Sequence, residues 1–190
     1  MKKLFSLILI ALFMIDFVFA DEYVISKIEC VDAENYHDRQ LSFKYDDEDD
    51  VYYIYRSTYS RSYWFTLTTD KLNQLRKNIK KIQDWSKLAK ENRSSIAKEV
   101  PDSLIKVEGT MKSGNDWYST RWDIPLNFFF VSSFSDKFEI TSFMIRGGEQ
   151  ESRQNEFIDI EFESVLFIND YIDKFAEAIN EETVEKAKKK

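Results

Sequence analysis

The sequence predicts an α+β fold, with antiparallel sheet of about eight or nine strands packed against one long central helix and one C-terminal helix. Three observations lead there. The segment from Thr69 to Arg93 keeps an uninterrupted helical spacing of apolar residues, while the segments on either side alternate apolar and polar residues as half-buried strands do. The same order, several strands and then a helix, recurs in the second half of the chain.

Lys2 and Lys3 precede an apolar run from Leu4 to Ile15, broken only by Ser6, and Val18-Phe19-Ala20 ends in residues that suit a cleavage site. Residues 1–20 therefore read as a secretory signal peptide cut after Ala20. The run is shorter than the ~20 residues of a membrane span, and Asp16 sits at its far end, so no stable span is expected after cleavage. Cys30 lies too far beyond the cut to be the lipidated first residue of a lipoprotein. The expected location is the periplasm or the extracellular space. Loss of Lys2, Lys3 and Asp16 leaves 25 basic and 33 acidic residues, a net charge of −8 against −7 for the whole chain. That acidity argues against nucleic acid as a partner. The remainder suits one domain, 21–180, followed by a charged tail, 181–190, expected to fray.

The first strand is expected at Tyr23 to Val31, with Val24, Ser26, Ile28 and Cys30 on one side. Cys30 reads as a small buried strand residue rather than a reactive thiol. A second strand, Arg39 to Tyr45, puts Leu41, Phe43 and Tyr45 on one face. The acidic run Asp46-Asp47-Glu48-Asp49-Asp50 then reads as a hairpin loop before Val51 to Tyr55. A calcium site at Asp46, Asp47, Asp49 and Asp50 is the sharper alternative, although the ligand spacing and central glycine of the familiar calcium loop are absent. After a polar loop with Tyr59, the strand Ser62 to Thr68 places Tyr63, Phe65 and Leu67 together. In the helix that follows, Leu72, Leu75, Ile79, Ile82 and Ala89 form the buried stripe, with Trp85 and Leu88 beside it and Thr69 as N-cap.

Glu99-Val100-Pro101-Asp102 interrupts the pattern and is the best linker candidate, dividing halves 21–98 and 102–180. Ser103 to Met111 alternates, Lys112-Ser113-Gly114-Asn115 is a turn, and Asp116 to Asp123 returns as the hairpin partner. Leu126 to Ser132, with Phe128, Phe129, Phe130 and Val131, is apolar enough for both faces to be covered. Strands at Lys137 to Ile145 and Glu156 to Glu163 follow, and a helix is expected from about Val165. Phe65 to Thr69 leading into Leu72 overlays Ile160 to Ser164 leading into Phe167, which fits either a duplication or shared strand-to-helix capping.

The chemistry is mostly bounded by what is missing. The single histidine, His37, and single cysteine leave too few donors for a His/Cys zinc site, and neither a phosphate-cradling glycine loop nor a nucleophile motif is present, so no cofactor is expected. Paired carboxylates could still cleave glycosides, but the residues give no means of choosing a pair. Trp117, Tyr118 and Trp122, together with Tyr52, Tyr59, Tyr63 and Trp64, offer either a platform for sugars or an apolar ligand, or ordinary core and cross-strand pairs. On the long helix eight basic residues face three acidic ones. Arg76, Lys77, Lys80, Lys81 and Lys87 form its basic face, either solvated or meeting an anionic polymer, lipid headgroups or an acidic protein. Asn92-Arg93-Ser94 matches the N-glycosylation tripeptide. The resulting expectation is an exported, non-catalytic binding module for an envelope or extracellular protein or an anionic polymer. A carboxylate-based hydrolase of envelope or extracellular polysaccharide is the first alternative, and a structural or assembly component of the envelope the second.

Overall fold

Four strands come first, each antiparallel to the next: β1 (Tyr23–Asp32), β2 (Asp38–Asp46), β3 (Val51–Ser57) and β4 (Arg61–Leu67). They are seen in a computed structural model that describes residues 23–32, 38–57, 61–119, 123–147 and 165–189. Helix α1 (Thr69–Asn92) follows, then β5 (Ile96–Glu99), β6 (Ile105–Ser113), β7 (Asp116–Ser119), β8 (Ile124–Phe134), β9 (Glu139–Gly147), β10 (Val165–Ile168), α2 (Tyr171–Ala178) and α3 (Glu181–Lys188). The expected signal peptide, His37, Tyr59, Trp122 and the strand expected at Glu156 to Glu163 lie outside the described residues.

Eight of the ten described strands close into an antiparallel barrel, in the order β1-β2-β3-β4-β6-β8-β9-β10 and back to β1. Two short seams complete the ring. Ile105 to Val107 of β6 pair with Ile124 to Leu126 of β8, and Val31 and Asp32 of β1 pair with Leu166 and Val165 of β10. Closure satisfies strand edges that an open sheet would leave bare. Beyond their seam β6 and β8 run apart, and β7 pairs with the rest of β6 while β5 pairs with the rest of β8. The expected linker is thus structural: β5 is hydrogen-bonded into the sheet, Val100 is buried, and its N–H donates to the Phe128 carbonyl. Pairing of β4 with β6 and of β5 with β8 crosses the boundary between the two halves.

The alternation expected of the strands is the one that fills the barrel. Inward rows contain Ile28 and Cys30, Leu41 and Phe43, Ile54, Phe65 and Leu67, all at or below 1% exposure. Phe128, Phe130, Phe143 and Phe167 complete the interior, with Phe143 stacked on Phe167 at 4.5 Å between ring centroids. Each such side chain contributes about 1.5–3 kcal/mol by leaving water. Val24 departs from its row. The β1–β2 register shifts between Val24 and Ser26, and the shift turns Val24 out to 53% exposure.

Helix α1 lays Leu72, Leu75, Ile79, Ile82 and Ala89 into the same core, and Trp85 meets Phe130 edge-on, whereas Leu88 is exposed. Two polar residues share the buried stripe with dedicated partners. Asn78 donates to the Ser103 carbonyl at 2.6 Å and Ser86 to Thr141 Oγ1 at 2.9 Å. The N-cap is Thr68 rather than Thr69, its hydroxyl accepting from the Lys71 N–H, and Arg93 closes the C-terminus in the left-handed region at φ 48°.

The C-terminal region differs from expectation in two ways. Val165 to Ile168 is strand β10, not helix, because its residues complete the ring between β9 and β1. Instead of one helix and a frayed tail there are two helices. Asn169, at φ 51°, turns the chain, and α2 sends Ile172 and Phe175 into the core, Phe175 edge-on to Phe143 and Phe167. Asn180 then caps α3, accepting from the Thr183 N–H at 2.7 Å, and Val184 is buried to 2%. A period-3.6 reading continued past a single turn misses that break.

Candidate binding face

The outward rows of β2, β3, β4, β6 and β7 form the most distinctive surface. Pairing aligns Ser57, Ser62, Lys112 and Trp117 in one row across β3, β4, β6 and β7. The next row is Ser42, Tyr55, Trp64, Thr110 and Ser119, and the third Lys44, Tyr53, Thr66 and Glu108. Alternation with the inward Phe43, Ile54, Phe65 and Met111 fixes these side chains to the outside.

Three rings meet on this grid, Tyr55 and Trp64 side by side in one row and Trp117 diagonal to Trp64 in the next. Tyr55 and Trp64 have centroids 5.0 Å apart with planes at 60°, and Trp64 and Trp117 are 5.1 Å apart at 39°. Lys44 Nζ sits 3.8 Å from the Tyr55 centroid and Lys112 Nζ 5.2 Å from that of Trp117. The Tyr55 hydroxyl donates to Ser62 Oγ at 3.2 Å, and Ser57 and Ser62 share a hydroxyl contact at 3.3 Å. Trp117 closes the row, 57% exposed. The hairpin that presents it turns at Gly114, whose φ of 60° suits the first position of a two-residue loop.

Of the predicted aromatic platform, the structure brings Trp64 and Trp117 together and places Tyr118, Tyr52 and Tyr63 elsewhere. Tyr118 follows Trp117 in an alternating strand, so it points to the opposite side and packs against the core. Tyr52 is buried against Phe43 and Tyr45, and Tyr63 packs partly on the core. Tyr59 and Trp122 lie outside the described residues. Tyr55, Lys44 and Lys112 were absent from the predicted set. Alternation alone would have turned Tyr55 outward, but the approach of Lys44 diagonally to Tyr55, and of Lys112 directly opposite Trp117, depends on strand register.

The acidic run is a hairpin loop, as expected. Asp46 accepts from the Glu48 and Asp49 N–H groups at 3.1 and 3.3 Å, and Asp50 accepts from the Tyr45 hydroxyl at 2.9 Å with Lys188 at 3.6 Å. No group of three or more metal-ligating residues occurs among the described residues. Loop closure thus uses Asp46 and Asp50, two of the four predicted ligands Asp46, Asp47, Asp49 and Asp50.

Most of the basic helix face has internal work. Arg76 donates to the Ile179 carbonyl at 2.6 Å and to Asn73 Oδ1, pinning the α2–α3 corner to α1. Lys80 pairs with Asp84, Lys87 with Glu91, and Lys81 donates to the Pro101 carbonyl, leaving Lys77 exposed. Two crevices flank this helix. One of about 300 Å³ lies between α1 and β5, lined by Trp85, Leu88, Ala89, Asn92, Ile96 and Lys98, among others. The second, about 290 Å³, lies between α1 and the α2–α3 corner and contains a single carboxylate, Glu181. No described helix is long and apolar enough to cross a membrane.

Comparison with protein-family models, curated proteins and solved structures found no match to this chain.

Proposed function

We propose that the protein is an exported, non-catalytic binding module that takes a glycan chain on the outer face of its barrel, around Tyr55, Trp64 and Trp117. The observation that carries the reading is the exposed Trp117 ring continuing the tilted Tyr55–Trp64 pair within a field of serine and threonine hydroxyls. Apolar sugar faces stack on such rings, and the surrounding hydroxyls can exchange hydrogen bonds with sugar hydroxyls. Anchoring the rings on paired strands holds them in place before a ligand arrives, which lowers the ordering cost of binding. The barrel interior is taken up by its own phenylalanines, so the outer face is the available surface.

The test is a titration of intrinsic tryptophan fluorescence with a panel of neutral and acidic oligosaccharides. Saturable quenching that disappears in Trp117→Ala, with the folded circular dichroism spectrum retained, supports the reading. Equal binding by the variant overturns it.

A protein contact in the envelope is a second reading, favoured by β5. It ends the sheet order among the described residues, and its Ile96 and the neighbouring Leu88 are 37% and 55% exposed beside the larger crevice. Crosslinking from position 96 to one envelope protein would support it, and loss of that crosslink in Leu88→Glu would locate it. The hydrolase alternative gains no such support, because neither described crevice brings two carboxylates together.

A further inference from the structure

Building on the glycan reading, we infer that the chain recognised is anionic, with its acidic groups meeting Lys44 beside Tyr55 and Lys112 beside Trp117. Each ammonium group is held over a ring, Lys44 over Tyr55 at 3.8 Å and Lys112 over Trp117 at 5.2 Å. A lysine resting on a ring keeps its charge while losing much of its freedom. It is therefore ordered before the ligand binds.

The placement of charge points the same way. The chain carries a net charge of −7, so a polyanion would be repelled on average. The three outward rows nevertheless include two lysines and one carboxylate, Glu108. Glu108 pairs with Thr66, to one side of the row containing Trp64, and Lys112 stands directly opposite Trp117. The three rings advance in two steps of 5.0 and 5.1 Å, and Lys112 rises from the strand between Trp64 and Trp117. A polyuronate would place apolar ring faces on Trp117 and Trp64 and a carboxylate near each ammonium. A neutral glycan would use the rings alone.

The experiment compares affinities of the full chain for polygalacturonate, its fully methyl-esterified neutral counterpart, and polyglutamate as a polyanion without sugar. At low salt, polygalacturonate should bind about tenfold tighter than the ester, a difference of about 1.4 kcal/mol. The advantage should shrink as salt shortens the screening length to about 3 Å near 1 M. Lys112→Gln, and more fully Lys44→Gln with Lys112→Gln, should erase the preference while leaving ester binding unchanged. Trp117→Ala should weaken both glycans, and polyglutamate should bind weakly. If the ester binds as well as polygalacturonate, the anionic inference is overturned and the glycan reading survives. If polyglutamate alone binds, or nothing binds, both are overturned. A Lys44→Gln protein that fails to fold leaves Lys112→Gln to decide, since Lys112 is exposed.

Discussion

Trp64 and Trp117 are in contact although their strands are not neighbours. Their centroids lie 5.1 Å apart, yet β4 and β7 each pair with β6, which runs between them. The rings meet because the β6 residue beside Trp64 is the small Thr110, while Lys112 opposite Trp117 reaches over that ring. A contact bridging three strands couples the ligand face to barrel register.

The first prediction concerns that pair. A double-mutant cycle with Trp64→Ala and Trp117→Ala should give a coupling of about 0.5–1.5 kcal/mol in denaturant unfolding, the range for aromatic pairs. Trp117→Ala alone should cost less than Trp64→Ala, because the Trp117 ring is more exposed. Additive losses would mean that the rings do not interact in solution.

Asn78 and Ser103 should respond in opposite directions. Asn78→Ala removes the donor to the Ser103 carbonyl inside the core, which should cost about 1–3 kcal/mol. The Ser103 hydroxyl is buried with no hydrogen-bond partner, so Ser103→Ala should be neutral or stabilising by up to about 1 kcal/mol. Urea unfolding of both variants checks the pair. A destabilised Ser103→Ala would reveal a partner for that hydroxyl.

Helix α3 should matter to stability despite its charged composition. Deleting residues 181–190 removes the buried Val184 and the Lys188–Asp50 contact, and should cost about 1–3 kcal/mol, lowering the melting temperature by several degrees. An unchanged melting temperature would show instead that the segment is dispensable. Val184→Asp should reproduce most of the loss.

Alkaline stability should depend on Tyr45. Burial, reinforced by the hydrogen bond it donates to Asp50, raises its phenol above the ordinary value of 10.0. The folded state therefore holds this proton after the unfolded chain has released its own. The stabilisation is complete below about pH 10 and is lost as pH rises through the folded value. Melting temperatures followed to about pH 11 should fall less steeply for Tyr45→Phe than for the unaltered protein. Parallel slopes would rule out Tyr45 as a source of the decline.

The elements themselves were largely legible in the residues. Leu41-Phe43-Tyr45, Phe65-Leu67, and Ile105-Val107-Gly109-Met111 each announced an inward row by alternation, and Leu72 to Ala89 announced the helix stripe. These patterns are local consequences of side-chain periods of 2 and 3.6 residues, so one chain segment suffices to state them. Val165 to Ile168 misled because an apolar run of four suits strand and helix equally, and only the gap between β9 and β1 selects the strand.

The candidate site was legible only in part, for a related reason. Composition and spacing determined that the chain has apolar-faced strands, a long amphipathic helix and a surplus of aromatic residues. They could turn Trp64 and Trp117 outward but could not bring them together. Tertiary structure alone decided that β6 lies between them, that Lys44 approaches Tyr55 and Lys112 approaches Trp117, and that Asp46, Asp50 and Lys81 find partners within the chain. Those outcomes depend on which strands pair and in what register. Pairing is selected by the closed ring and its common core, not by any single segment.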